Sequence, residues 1–60
     1  MVYRVNVHNC YEDGTTEFKF YKKFNNQDDC LKYVYQFDVY MGNVKDNDTI
    51  IFSVGDYQWN

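Results

Sequence analysis

Asn25-Asn-Gln-Asp-Asp-Cys-Leu-Lys-Tyr-Val-Tyr-Gln-Phe-Asp-Val-Tyr-Met-Gly-Asn43 is the stretch around which this 60-residue chain organises, and it reads as the only helix. Asn25 or Asn26 is placed to cap its start. Asp28 and Asp29 fall in the first turn, where the macrodipole favours anions, and Gly42 stands where a left-handed C-terminal cap is needed. At helical spacing Cys30, Val34, Phe37 and Met41 form a core stripe. Tyr33 and Tyr40 flank Phe37 on one side, Leu31, Tyr35 and Val39 lie on the other, and only Lys32, Gln36 and Asp38 are polar after the first turn. A helix apolar over more than one stripe in so short a chain needs a further partner, so the stretch is also the expected binding surface.

Sixty residues form a single domain, 1–60, and a domain of this size buries only ~60% of the surface its unfolded chain exposes. Oligomerisation is the expected remedy for its marginal stability. Aromatic residues make up 22% of the chain (seven Tyr, five Phe, one Trp), more than so small a core uses, and Tyr-rich apolar surface is what protein interfaces favour. Nine Asp and Glu against six Lys and Arg give a net charge of −3, which disfavours direct nucleic-acid binding. Cys10 and Cys30 are the only cysteines; the elements below place Cys10 on the outer sheet face and Cys30 on the helix core stripe, positions that argue against pairing. Without a signal-like apolar segment near Met1 or a run of about 18 apolar residues, the chain reads as cytoplasmic, with no membrane contact.

Val2 to Tyr11 alternates, with Tyr3, Val5 and Val7 on one side and Arg4, Asn6, His8 and Cys10 on the other, as a half-buried strand requires. Asp13-Gly14 signals a two-residue type I′ turn. That loop sets Glu12 opposite Thr15, Cys10 opposite Glu17, Val7 opposite Phe20, Val5 opposite Lys22 and Tyr3 opposite Phe24. Phe18, Phe20 and Phe24 then share the core side with Val5 and Val7, while Glu17, Lys19, Tyr21 and Lys23 join Arg4, Asn6 and His8 on the solvated side. Past the helix, Val44 to Asp48 reads as a polar connection and Thr49 to Val54 as a third strand with Ile50, Phe52 and Val54 on one face. Gly55 and Asp56 end or bulge that strand, and Tyr57-Gln58-Trp59-Asn60 forms an aromatic tail. The expected fold is α+β: ββαβ, a three-stranded antiparallel sheet of order 2-1-3 with one helix packed on one face.

Catalytic chemistry finds no constellation, so no catalytic residues, metal ligands or cofactors are assigned and an enzyme is not expected. His8, the single histidine, lies on the solvated face without a neighbouring nucleophile and reads as a surface residue. Glu12 with Asp13, Asp28 with Asp29, and Asp46 with Asp48 have ordinary roles in a turn, a helix start and a loop. The last pair lacks the glycine and distal glutamate of a calcium loop. What remains is a pairing of acidic clusters with surplus apolar surface, the combination a DNA mimic needs: spaced carboxylates in place of phosphates, and an apolar site for a side chain that would enter the base stack.

Phe37-Asp38-Val39-Tyr40-Met41-Gly42-Asn43, followed by Asp46 and Ile50-Ile51, resembles the helix end and last strand of the small uracil-DNA glycosylase inhibitors of protein-primed Bacillus phages. The alternating first strand, the acidic turn Glu12-Asp13-Gly14 and the aromatic return strand resemble that family's opening hairpin. The resemblance implies a dimeric ββαβ inhibitor that mimics DNA, captures the enzyme's DNA-intercalating apolar residue in an apolar cleft, and acts as a phage protein in the host cytoplasm. Phe37 would correspond to the cleft phenylalanine, Asp38 to an acid that hydrogen-bonds the enzyme, and Gly42 and Asn43 to the helix stop. Met41 stands where the family has tyrosine, and the segment before Phe37 is longer by about two helical turns. The expected partner-binding set is Phe37, Asp38, Tyr40, Met41, Tyr33, Asp28 and Asp29.

Three other functions fit parts of the chain. One is an acidic phage inhibitor of another nuclease or a CRISPR system. Another is a non-enzymatic oligomeric adaptor. The last is a single-strand nucleic-acid binder stacking bases on Tyr21, Tyr57 and Trp59 beside Arg4, Lys19 and Lys23, against which the net charge speaks.

Overall fold

The computed structural model describes residues 1–58 in five elements: β1 (Val2–Cys10), β2 (Thr16–Phe24), α1 (Gln27–Val34), β3 (Val39–Asp46) and β4 (Thr49–Tyr57). Expectations attached to Trp59 and Asn60 lie outside the described residues. The chain is a small α+β domain, and its strands form one four-stranded mixed sheet of order β2-β1-β4-β3. The expected three-stranded antiparallel sheet of order 2-1-3 is therefore corrected: a fourth strand exists, and β4 runs parallel to β1.

The extra strand comes from the stretch expected to be helical as far as Asn43. Asn26 caps α1 with extended backbone, accepting from the Asp29 N–H at 2.8 Å and donating through Nδ2 to Asp29 Oδ2 at 2.9 Å. Past Val34 the winding loosens: Tyr35 N–H donates to Leu31 O, Gln36 N–H to Tyr33 O and Phe37 N–H to Val34 O. By Val39 the chain is a strand. Two physical reasons favour this over a longer helix. Tyr35 to Met41 is dominated by aromatic and β-branched residues, which lose side-chain freedom in a helix and suit a pleated surface. Geometry supplies the other reason, because β2 and β3 are the two edges of the sheet and the crossover between them spans three strand spacings, ~14 Å. An eight-residue helix over β1 and β2 leaves Tyr35 to Asp38 to complete the crossing and Val39 to Asp46 to pair with β4, which a helix continued to Asn43 would not. Gly42, with φ of 110°, belongs to a β-bulge in β3 and is not a helix stop.

Two local departures in the first hairpin cancel each other. Tyr11 and Thr15 close a loop of three residues, Glu12, Asp13 and Gly14, with Gly14 N–H donating to Tyr11 O and Gly14 at φ of 90°. Asp13 does not take the positive φ that a type I′ turn demands, so the two-residue loop gives way to the three-residue form. Asp13 Oδ1 accepts from the Thr15 hydroxyl at 2.7 Å and the Thr15 N–H at 3.0 Å, which hold its carboxyl below the usual carboxylate value. The register near the turn is displaced by one, pairing His8 with Phe18, Asn9 with Glu17 and Cys10 with Thr16. A bulge at Lys19 restores it, so Val7 faces Phe20, Val5 faces Lys22 and Tyr3 faces Phe24 as expected. The displacement exchanges faces. Phe18 joins His8 on the outer side, their rings 5.7 Å apart edge to face, and Glu17 turns to the helix side, where Asn9 and Tyr11 donate to it.

At the other end, Asn47 with φ of 56° turns β3 into β4 through a two-residue loop, where a polar connection was expected. β4 carries Ile50, Ile51, Phe52 and Val54 and takes the interior of the sheet, leaving the more exposed β3 at the edge. The core is small: Val5, Val7, Phe52 and Val54 from the two central strands close against Cys30 and Val34 of α1. Phe24, Tyr33 and Phe37 pack beside it as a run of rings 5.4 and 5.2 Å apart, with Lys22 Nζ over the first two.

Both cysteines are free and buried. Cys10 lies on the outer face, as placed from sequence, with Sγ in the space beside Gly55. A Cβ at Gly55 would stand 2.6 Å from that sulfur and 2.9 Å from the His8 carbonyl oxygen, so this position admits only glycine. Gly55→Ala is expected to destabilise the fold by about 1–3 kcal/mol in urea titration, with Cys10→Ala in the same chain recovering part of the loss. Burial also pushes the Cys30 thiol up. A thiol raised in the folded state leaves that state binding more protons than the unfolded chain, so stability is retained below the unfolded thiol value of about 8.5 and falls as pH rises above it. Urea midpoints measured from neutral to alkaline pH should decline through that window, and Cys30→Ala should remove that part of the decline.

Candidate functional site

α1 rests on β1 and β2, so the other half of the same sheet face lacks a cover. An apolar cleft of about 390 Å³ opens there. Leu31, Val34 and Tyr35 of the last helical turn form one wall, Phe37 and Asp38 of the connecting turn close an end, Tyr40 of β3 forms the opposite wall, and Phe52 of β4 lies against its floor. The volume sits at the small end of the ~300–1,000 Å³ usual for ligand sites, suiting one or two side chains better than a cofactor.

Each wall has a local cause. Tyr40 stands opposite Val54 and Asn43 opposite Phe52, so both project to the helix side, where Asn43 Nδ2 donates to the Tyr40 hydroxyl and steadies the ring. Asp38 N–H donates to Asp56 Oδ1 at 3.4 Å, tying the turn to β4. Asp38 is the one charged residue of the cleft lining, with Asp56 held at its backbone N–H. Its chemistry is an apolar slot carrying one carboxylate residue, fitted to an apolar side chain beside a cation.

Of the seven residues expected to bind a partner, Phe37, Asp38 and Tyr40 come together at this cleft. They do so from a turn and a strand, not from one helix face. The other four lie elsewhere. Tyr33 is packed between Phe24 and Phe37 beneath Lys22, and Met41 is the bulged residue of β3. Asp28 and Asp29 remain at the helix start, where Asp29 is engaged by the Asn26 cap. Leu31, Val34, Tyr35 and Phe52 line the cleft and were outside the expected partner-binding set. Tyr35 was visible as an apolar residue off the core stripe, and it is 77% exposed here. The approach of Phe52 to Phe37 and Tyr40 depends on the long-range placement of β4 and had no local signal.

Among the described residues no group of three or more His, Cys, Asp and Glu side chains is placed to hold a metal ion, and no helix is long and apolar enough to cross a membrane. No protein-family model, no curated protein and no solved structure matches the chain. The two sides of the cleft should respond differently to truncation. Phe52→Ala removes a buried ring from both core and cleft and is expected to cost about 3–5 kcal/mol. Tyr35→Ala should stay within about 0.5 kcal/mol of the parent in the same urea titration.

Proposed function

We propose that this domain is a proteinaceous inhibitor that mimics DNA and blocks a host DNA-processing enzyme, first of all a uracil-DNA glycosylase, by taking the enzyme's DNA-intercalating apolar residue into the cleft. The observation that carries this reading is the apolar slot with Asp38 at its lip, assembled from Phe37, Asp38, Tyr40 and Phe52. An enzyme that wedges an apolar side chain into the base stack surrounds it with cationic groups for the phosphates. The cleft offers the complement of both: apolar walls for the wedge, and the Asp38 carboxylate for a cation. Binding and exclusion of DNA suffice for such an inhibitor, which requires no catalysis by this chain.

The sequence resemblance through Phe37-Asp38-Val39 and Gly42-Asn43 supports the same target, although these residues occupy a turn and an edge strand and not the helix end the resemblance implied. A homodimer fits the exposed Tyr40, Met41 and Val44 on or beside the edge strand β3, whose association would cover apolar surface next to the cleft. As a phage-encoded inhibitor the protein would act in the host cytoplasm.

Uracil excision by a bacterial glycosylase, with the full chain titrated in at low and high salt, tests the reading. Stoichiometric inhibition with an association rate that falls as salt rises is expected. Tyr40, 54% exposed, is a cleaner probe than Phe37, which packs against the core as well as lining the cleft. Tyr40→Ala should weaken inhibition by about 2 kcal/mol or more, roughly thirtyfold, and Asp38→Asn should reduce the salt dependence. Absence of inhibition at micromolar protein removes the glycosylase as target, and full inhibition by Tyr40→Ala removes the cleft.

A further inference from the structure

We infer that the helix-free face of the sheet, opposite the cleft, binds single-stranded nucleic acid by stacking bases on Phe18, Tyr21 and Tyr57 and holding phosphates with Arg4 and Lys23. This surface is independent of the cleft and of the inhibitor reading.

The face is laid out in rows by the strand registers. Thr16, Cys10 and Tyr57 form one row; Phe18, His8 and Gly55 the next; Tyr21, Asn6 and Ser53 a third; and Lys23, Arg4 and Ile51 a fourth. Arg4 and Tyr21 confirm the shared side, the guanidinium carbon lying 4.0 Å from the ring centroid, and the ring contact of His8 with Phe18 does the same one row on. Adjacent rows are two residues apart, ~6.8 Å along the strands. That is twice the ~3.4 Å base spacing of a stacked strand, which suits an extended strand with its bases splayed. Phe18, Tyr21 and Tyr57 are 52%, 49% and 49% exposed, an uncommon outlay of aromatic surface on one sheet face.

Charge complementarity names the occupant. Although the chain carries a net charge of −3, its carboxylates are segregated away from this face. Glu12, Asp13 and Asp48 are in turns, Asp28 and Asp29 begin the helix, Asp38 is in the connecting turn, and Glu17 and Asp56 stand on the helix side at Asn9. Only Asp46, at the far corner on β3, falls in register with this side, against the cations Arg4 and Lys23. Arg4 Nε donates to Asn6 Oδ1 at 2.8 Å, which fixes the side chain and leaves its terminal nitrogens without a hydrogen bond among the described residues. A guanidinium held over a tyrosine ring keeps its terminal donors for phosphate. Duplex DNA keeps its base faces inside the stack, so these rings select single strands.

Fluorescence anisotropy of a labelled oligothymidine of about twelve nucleotides, with the full chain at about 50 mM salt, tests the inference. Binding should exceed that of the matching duplex. Its logarithm should fall with log salt at a slope of about −1.4, the value for two phosphate contacts to a single strand. Tyr21→Ala should weaken it by about tenfold and Lys23→Glu should flatten the salt dependence, both positions being exposed enough to substitute without loss of fold. Tyr40→Ala, on the opposite side, should bind as the parent does. Four results overturn the inference: no anisotropy change at ~10⁻⁴ M protein, equal affinity for duplex, parental binding by both Tyr21→Ala and Lys23→Glu, or a loss in Tyr40→Ala as large as in Tyr21→Ala.

Discussion

The parallel pairing of β1 with β4 is the contact on which the rest of the molecule depends. It sets Val5 beside Phe52 and Val7 beside Val54, and these four residues, with Cys30 and Val34 above them, are the core. The pair occupies the centre of the sheet, with an antiparallel hairpin partner on either side and α1 over one face. The same pairing explains the tightest spot in the fold. Gly55 is brought against the His8 carbonyl and the Cys10 sulfur, closer than any side chain would permit.

Placing β4 at the centre forces the crossover to run from edge to edge, and the surface features follow from that. The short helix covers β1 and β2 but leaves the β3 and β4 half of its face open, which is where Leu31, Tyr35, Phe37, Tyr40 and Phe52 meet. No second helix covers the reverse side among the described residues. The chain is acidic as a whole but uneven in detail, with Asp38 at the cleft, and with Arg4 over the Tyr21 ring and Lys23 in register beside Arg4 on the other face. Net charge, a property of the whole chain, conceals that division.

Features governed by neighbours along the chain were legible in the sequence. The Asn26 cap, the acidic first turn, the alternation of β1 and the pairing of Tyr3, Val5 and Val7 all rest on local chemistry or a clear period of two. That pairing was reached through a turn one residue too short, and the bulge at Lys19 absorbs the difference, so agreement at the centre of the hairpin conceals disagreement at its tip. The stretch from Tyr35 to Asn43 was misread because its apolar residues satisfy helical and strand spacing together. What decides between them is the demand of β4 for an edge partner, and that demand is not local. Within the site, Phe37 and Asp38 were named from the sequence resemblance and Tyr40 as a ring flanking Phe37 on the expected helix. Met41 was grouped with them on a helical period that the strand does not have.

The direct test of this account is the backbone conformation of Val39 to Asp46 in solution, read from NMR secondary shifts and inter-strand contacts. Extended shifts through this segment, with cross-strand contacts from Asn43 to Phe52 and from Val5 to Phe52, are predicted. Helical shifts running unbroken from Gln27 to Met41 would contradict it, since the fourth strand, the edge-to-edge crossover and the cleft would then be lost together.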